Sequence, residues 1–346
     1  MKVGRLATGG RLEVAELPTP AADAGEIVVD LASCGVCGTD LEKLRGRYQS
    51  AGRIGHEPVG RVRDVGPGVT DLKVGQRVFV HHHVPCYACA VCARGDYTFC
   101  PTYQSTNIDP GGFAEAFRVP KENVARGAVL PLDPSVTWDA GALLEPAACA
   151  LTAIHRVGLP ANASVLVLGL GPVGLLYARL VRALGAGWVG GTEVSPLRRT
   201  AAERGGIDAT VDPREEGAVA AAVARATDGR GVDLAVVATG HPSVVRTATE
   251  VVRRGGTVNL FGLPEPQNRL DVDLQSLYLR GIRLLPSYAT VEPDLAEVHR
   301  LVVAGHLKLD DLVSHRIPIE RLDEAFRVAA RPDEAVKVVV TGPASD

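Results

Sequence analysis

Four cysteines stand at Cys86-x2-Cys89-x2-Cys92-x7-Cys100. Thiolates at that spacing can surround one ion tetrahedrally, and a closed four-sulfur shell leaves no position for a substrate, so they read as a structural zinc site. An iron–sulfur cluster takes the same ligands, but nothing else in the chain points to one-electron chemistry. Left metal-free in a loop, the four would expose nucleophilic thiols for no packing gain. A second set is scattered: Gly35-Val-Cys37-Gly-Thr39-Asp40, Gly55-His56-Glu57, and later Glu145-Pro146. One thiolate, one imidazole and one carboxylate make an open zinc site if the fold gathers them, with a position left for water or substrate. His56 alone would read as a buried, hydrogen-bonded histidine. Beside a cysteine in a glycine-rich loop it reads as a ligand. Cys34 and Cys149 read as small apolar fillers of the core.

The third chemical stretch is Ser164–Gly174, SVLVLGLGPVG. A buried strand over Val165–Leu168 runs into Gly169-x-Gly171-Pro172-Val173-Gly174 and then into an apolar helix, Leu175–Leu184. Glycines at that spacing permit a tight turn, close approach of the backbone to a pyrophosphate, and close helix–strand packing, while the helix N-terminus offers unpaired N–H groups to the phosphates. The pattern alone is weak; the strand before it and the helix after it supply the context. A second strand, Trp188–Thr192, ends in Glu193, an acid suited to the two ribose hydroxyls of NAD and repellent to the 2′-phosphate of NADP. Arg198 and Arg199 pull the other way and are read as flanking the adenine side. NAD is the expected cofactor, with NADP as the alternative.

Two kinds of element must position these groups. Residues 1–150 read as β-rich, with strand-like runs at Glu26–Ala32, Val59–Val65 and Val74–Val80 between frequent glycines and prolines, as in a compact, partly closed antiparallel domain. From Leu151 the pattern alternates strand and helix. Strands are expected at Val165–Leu168, Trp188–Thr192, Asp208–Val211, Val232–Val237, Thr257–Phe261 and Ile282–Leu285, which make a complete doubly wound parallel sheet. Past Ser287 the chain should leave that sheet, with a helix at Pro293–Ala304 and a strand at Ala335–Val340 rejoining the first domain. The expected domains are therefore 1–150, carrying the cysteine lobe 86–100, then 151–286, then a C-terminal segment 287–346.

Composition narrows the classes. At 346 residues the chain has room for two cores. A net charge of −3 gives no basic footprint for nucleic acid. No apolar run is long enough to span a bilayer and the N-terminus has no apolar signal core, so a soluble, cytoplasmic protein is expected. Seven cysteines, an odd number clustered in the first half, fit metal ligation better than a disulfide framework.

With GVCGTD, GHE, the four-cysteine lobe, GGFAE at Gly111–Glu115, Glu145-Pro146 and GLGPVG all in place, the chain resembles the zinc-dependent medium-chain dehydrogenases, the superfamily of alcohol, sorbitol and threonine dehydrogenases, over essentially its whole length. The resemblance implies an α/β fold: a GroES-like catalytic domain, completed by the C-terminal segment, and a Rossmann NAD-binding domain. It implies two zinc ions per chain, with Cys37, His56 and Glu57 as catalytic ligands and Cys86, Cys89, Cys92 and Cys100 holding the structural ion. Glu145 stands where relatives place a further ligand, or a carboxylate reached through a bound water, and an acid there points to the polyol branch. Thr39 is the implied hydroxyl that takes the substrate's proton. Zinc lowers the pKa of a bound alcohol from about 16 toward about 7, and the carbinol carbon then gives its hydride to the nicotinamide. Thr239 and Ser287, at strand ends, either edge the nicotinamide or are ordinary loop residues.

Two positions depart from the pattern. Where many relatives carry a relay histidine five residues past the ligand cysteine, this chain has Glu42: a proton acceptor, a partner for polyol hydroxyls or a substrate amine, or a surface acid touching nothing. In His81-His82-His83, His82 falls where relatives place a substrate-pocket side chain, and His81 and His83 read as structural. The expected activity is interconversion of a secondary alcohol and a ketone on a polyol, sugar or cyclitol. An amino-alcohol dehydrogenase is the alternative within the class, and a non-catalytic nucleotide-binding protein the alternative outside it. By resemblance a homodimer or homotetramer forms through the Ile282–Leu285 edge; no nucleic acid or membrane partner is expected.

Overall fold

A computed structural model describes residues 1–7, 10–48 and 52–345. The chain divides into two compact units: Met1–Ala148 with Thr290–Arg331 and Lys337–Asp346, and Cys149–Ala289 with Pro332–Val336.

The first unit is organised on the strand Ile27–Gly35, buried at almost every position. Its β-branched run, Ile27-Val28-Val29, suits a pleated surface covered by neighbours. It pairs antiparallel with Pro58–Val65, Ala116–Val119 and Lys337–Thr341. Register shifts between Val28 and Val29 and between Leu31 and Ser33 interrupt the ladder to Pro58–Val65, and such irregularities bend a sheet. The described strands lie in the order Val313–Pro318, Lys337–Thr341, Ile27–Gly35, Pro58–Val65, Arg77–Val80, Val129–Pro131. The core, with Ile27, Leu31, Val59, Phe79, Phe113 and Phe117, is at most 1% exposed. Two strands of this sheet come from the C-terminal segment. The strand expected at Val74–Val80 starts only at Arg77, because Gly75 turns the chain with φ +84° and leaves Val74 in solvent.

In the second unit six parallel strands lie in the order Ala209–Val211, Trp188–Thr192, Ser164–Leu168, Val232–Val237, Val252–Leu260, Arg283–Pro286. Winding runs outward one way from Ser164–Leu168 and then the other. Ligands of such sheets bind at the carboxyl end of that switch point. Val165, Val167, Leu234 and Val236 are fully buried, which explains why these strands read as continuous apolar runs rather than alternating ones. The helix expected from Leu175 starts at Pro172, with Gly171 as its cap and the proline in its first turn. The expected C-terminal segment 287–346 is interrupted: Pro332–Val336 belongs with the second unit, where Pro332 O accepts from Ser195 Oγ at 2.9 Å and Ala335 O from Arg198 Nε at 3.2 Å. Among the described residues no helix is long and apolar enough to cross a membrane.

Asp233 ties three of these strands together. It accepts from Ser164 N–H and Oγ, both at 2.8 Å, and from Arg253 Nε at 2.6 Å. Burial pushes its pKa up, but the Ser164 and Arg253 donors outweigh that and hold it below the ordinary carboxylate value. A carboxyl with a depressed folded pKa stabilises fully above its unfolded value and loses that contribution as pH falls through the folded one. Asp233→Asn should therefore cost about 1–2 kcal/mol near pH 7, with the gap to wild type closing below about pH 4, as read from urea melts across pH.

Candidate metal centres and dinucleotide site

The cysteine lobe brings its four sulfurs to tetrahedral spacing. Cys86 Sγ lies 3.9 Å from Cys92 Sγ and 3.6 Å from Cys100 Sγ, and Cys89 Sγ lies 3.6 Å from Cys92 Sγ and 3.8 Å from Cys100 Sγ. Four sulfurs about 2.3 Å from a common centre are about 3.8 Å apart, so the donor set fits zinc without rearrangement. The turns that fold the lobe use left-handed residues, Tyr87 at φ +55° and Gly95 at φ +81°. Backbone N–H groups of Ala88 and Cys89 point at Cys86 Sγ, and that of Cys86 at Cys100 Sγ. Burial opposes ionisation of Cys100, but the N–H groups of Cys86, Tyr103 and Thr102 outweigh it and bring the thiol to about 6, where it is ready to ligate.

Cys37, His56 and Glu57 meet although they come from different loops: one ligand atom of each lies within 4.8 Å of the others. Cys37 caps the helix Gly38–Leu44 at the end of the central strand. His56 and Glu57 follow Gly55, whose φ of +79° and contact with Phe113 N, 2.5 Å from where a Cβ would sit, require glycine. Asp40 joins the two loops. Wholly buried, it accepts from Gly55 N–H at 3.1 Å and Cys37 N–H at 3.3 Å, and its Oδ1 lies 3.3 Å from His56 Nδ1. Burial raises its pKa, yet His56, Lys43 and the Gly55 N–H together hold it down at about 2. Glu57 Oε2 pairs with Lys337 Nζ at 2.6 Å, with side chains 0% and 2% exposed. Burial alone would neutralise that lysine, but the Glu57 carboxylate keeps its pKa raised. Glu57 Oε1 has no hydrogen-bond partner among the described residues, and with Asp40 beside Nδ1 it is Nε2 of His56 that is left to ligate. An imidazole and a carboxylate with a free oxygen beside a thiol are the donor set of an open zinc site.

Glu145, in the first turn of Leu144–Val157, has a ligand atom within 4.8 Å of ligand atoms of His81 and His82, and its charge acts on Glu57 and Lys337. Thr39 is half-buried in the Gly38–Leu44 helix, two residues past Cys37. The His82 ring lies 5.2 Å from that of His56, and burial keeps it neutral by holding its pKa well below the ordinary value. His83 Nδ1 is engaged with Thr106 O. Glu42 carries ion pairs: Arg45 Nη1 lies 2.6 Å and Arg47 Nη1 3.6 Å from its oxygens. Helical spacing alone predicts the first of those pairs. Asp40, Gly35 and Lys337 were not singled out by sequence. Asp40 carried a signal, an acid three residues past the ligand cysteine where it can cap a helix. Lys337 carried none.

In the second unit Gly169, at φ +99°, makes the turn, and a Cβ on Gly174 would fall 1.9 Å from Gly169 O. Pro172 and Val173 open the helix behind it. Arg198 Nη1 lies 3.6 Å from the Cβ position of Gly171, so this guanidinium borders the glycine turn. Glu193 is buried at the strand end and accepts from Ser195 N–H at 3.0 Å. Arg199, expected beside the adenine, is bound to Glu193 O, Val194 O and Asp212 at 2.6, 3.0 and 3.2 Å. Thr239 Oγ1 accepts from His241 N–H at 3.4 Å. Ser287 is pinned to the sheet end, its N–H donating to Leu260 O and its Oγ 2.9 Å from Asn259 Nδ2.

Residues 23–130 match the alcohol dehydrogenase GroES-like domain, and residues 172–304 the zinc-binding dehydrogenase domain. The chain is 32% identical to L-threonine 3-dehydrogenase of Pyrococcus abyssi over 94% of each protein. It is 29% identical to sorbitol dehydrogenase of Bacillus subtilis, over 98% of this chain and 97% of that protein. The structure of 2R,3R-butanediol dehydrogenase from Bacillus subtilis superposes with a TM-score of 0.87 at 27% identity, covering 99% of each chain.

Two variants separate the sites. Cys100→Ser should cost about one equivalent of zinc per chain by elemental analysis while leaving dinucleotide affinity in place. Gly174→Ala should do the reverse, weakening NADH binding by about tenfold or more in a fluorescence titration with zinc content unchanged.

Proposed function

Because the chain belongs to the zinc-dependent dehydrogenase family that couples a GroES-like domain to a dinucleotide-binding domain, we infer that it oxidises a secondary alcohol to a ketone, reversibly, with a nicotinamide cofactor. It is a zinc-dependent alcohol and polyol dehydrogenase using NAD(P). A polyol, sugar or cyclitol is the proposed substrate, and NAD the preferred cofactor. The observation that carries this reading is the Cys37–His56–Glu57 set, its histidine and glutamate buried and Glu57 Oε1 unpaired among the described residues, in a chain whose second unit holds the Gly169–Gly174 turn.

Cys37, His56 and Glu57 would hold the ion, with Glu145 and His82 nearby. When bound, zinc supplies Lewis acidity that lowers the pKa of the alcohol and makes its carbon a better hydride donor. The rest falls to the chain. Asp40 and Lys337 keep His56 and Glu57 in place. Thr39 takes the hydroxyl proton. The glycine turn receives the pyrophosphate of the cofactor at the helix N-terminus, and Glu193 faces the adenosine ribose, favouring NAD. Arg198, beside the turn, is the feature that would admit NADP. Assembly as a dimer or tetramer along the sheet edge at Arg283–Pro286 and a cytoplasmic location belong to the same proposal.

An amino alcohol is the second reading within the class, supported by the similarity to L-threonine 3-dehydrogenases and by the acceptor-rich neighbourhood of Glu145. Glu42 supports it less, since a substrate amine would have to displace Arg45. The intact zinc ligands speak against a purely nucleotide-binding protein.

Initial rates of NADH formation by zinc-loaded protein on matched polyols and cyclitols, each with its amino counterpart, test these readings. Faster turnover of the neutral members is expected. Preference for the amino members would move the substrate to amino alcohols, and NADH binding without turnover of any alcohol would leave only the binding-protein reading. Cys37→Ser should lower kcat/KM by about 10³-fold while dinucleotide affinity stays within about twofold.

A further inference from the structure

Three side chains of the first unit lie outside both ligand sets yet form one line of contacts: Tyr87, Glu292 and His81. His81 is 0% exposed, and its Nδ1 lies 2.7 Å from Glu292 Oε1. Glu292, itself 8% exposed, accepts the hydroxyl of Tyr87 on its other oxygen. An ionised carboxylate only accepts, so the hydrogen between His81 and Glu292 is carried by the imidazole Nδ1. In a neutral ring that leaves Nε2 as a bare lone pair. Nε2 is buried and has no partner among the described residues, and one nitrogen of His81 lies within 4.8 Å of ligand atoms of His82 and Glu145.

The surroundings hold the ring still. The His82 ring meets it edge-on at 5.4 Å, Tyr103 flanks it at 6.0 Å, and Asn123 Nδ2 donates to the carbonyls of both histidines, at 3.4 and 3.0 Å. Tyr87 is fixed in turn by the lobe. It lies between Cys86 and Cys89 with φ +55°, a conformation that a tyrosine keeps only when its neighbours impose it.

Resting on the reading of the adjacent Cys37–His56–Glu57 set as the alcohol centre, we propose that Tyr87 and Glu292 are positioning residues that hold His81 as its Nδ1–H tautomer, so that Nε2 accepts the hydrogen of a second substrate hydroxyl. His81, read from sequence as structural, thereby becomes a specificity residue. An acceptor at His81 Nε2 matches a hydroxyl or ammonium group beside the reacting carbon. It leaves an alkyl substrate with an unfilled acceptor there and offers no donor to a phosphate or carboxylate. The lobe then does more than cap the fold: Cys86 and Cys89, which would hold the zinc, flank the loop that places Tyr87.

The test uses full-length, zinc-loaded protein labelled with 15N-histidine, with the His81 signals assigned from a His81→Gln variant. The expected spectrum shows a protonated Nδ1 and an unprotonated Nε2; a protonated Nε2, in a neutral or a doubly protonated ring, overturns the proposal. Glu292→Gln replaces the acceptor by an amide that can donate to Nδ1, and should move the proton to Nε2. The same variant should lower the kcat/KM ratio of a polyol over a plain alkyl secondary alcohol by about tenfold or more, mainly through the KM of the polyol, with zinc content unchanged. Tyr87→Phe should shift that ratio in the same direction by less. An unchanged ratio despite the moved proton overturns the specificity role. The tautomer is read without turnover, so inactivity toward every alcohol would sink the dehydrogenase reading alone, and the wrong tautomer this proposal alone.

Discussion

The buried pair of Glu57 and Lys337 is the constraint on which the metal centre depends. Both side chains are out of water, 2.6 Å apart. Desolvating two charges costs several kcal/mol for each, and removing one partner leaves the other uncompensated at a cost of about 3–5 kcal/mol. Glu57 and Lys337 must therefore stay together. Because Glu57 follows His56 and Lys337 opens the strand Lys337–Thr341, the C-terminal segment is held to the ligand loop by this contact. Gly35 shows how tight the fit is: a Cβ there would fall 1.7 Å from Glu57 Oε2 and 2.9 Å from Lys337 Cε. With one oxygen committed to the lysine, the other is left without a hydrogen-bond partner among the described residues.

Charge in the first unit is arranged around that pair. Asp40 and Glu57 are carboxylates buried at 0% exposure, and each has a cation within 4 Å, Lys43 and Lys337 respectively. His82 and His83 are kept uncharged by burial, with His83 brought down to about 3. The ligand His56 differs: burial opposes its charge, but Asp40 and Cys37 outweigh that and raise its pKa well above the ordinary value, so a metal binding there would displace a proton.

The second unit works through shape more than charge. Its switch-point strand and helix approach closely only because Gly174 lacks a side chain, and the neighbouring strand admits Leu170 only because Gly191 does, with a Cβ there 2.6 Å from Leu170 Cδ2. The turn between them exposes backbone N–H groups at a helix start, which bind phosphate without needing a basic side chain. Arg198 adds a cation beside the turn, while Arg199 is spent on strand-end carbonyls. Two adjacent arginines of one helix have unlike duties because successive helical positions point about 100° apart.

Local chemistry was legible in the amino-acid order. The lobe is a run of short spacings, so its sulfurs could scarcely avoid one another. The glycine turn is contiguous, and its strand and helix declare themselves by apolar runs. Long continuous strands of the parallel sheet were visible; in the antiparallel sheet an error came at a strand end, at Val74, where a glycine turn looks like part of an alternating run. Long-range placement was decided by tertiary structure alone. Nothing in the order of residues says that Lys337 pairs with Glu57 across 280 positions or that Glu145 lies with His81 and His82. Spacing within one turn or loop fixes contacts through covalent geometry. Contacts between distant segments depend on which strands pair and in what register, and that is settled by burial of the whole core.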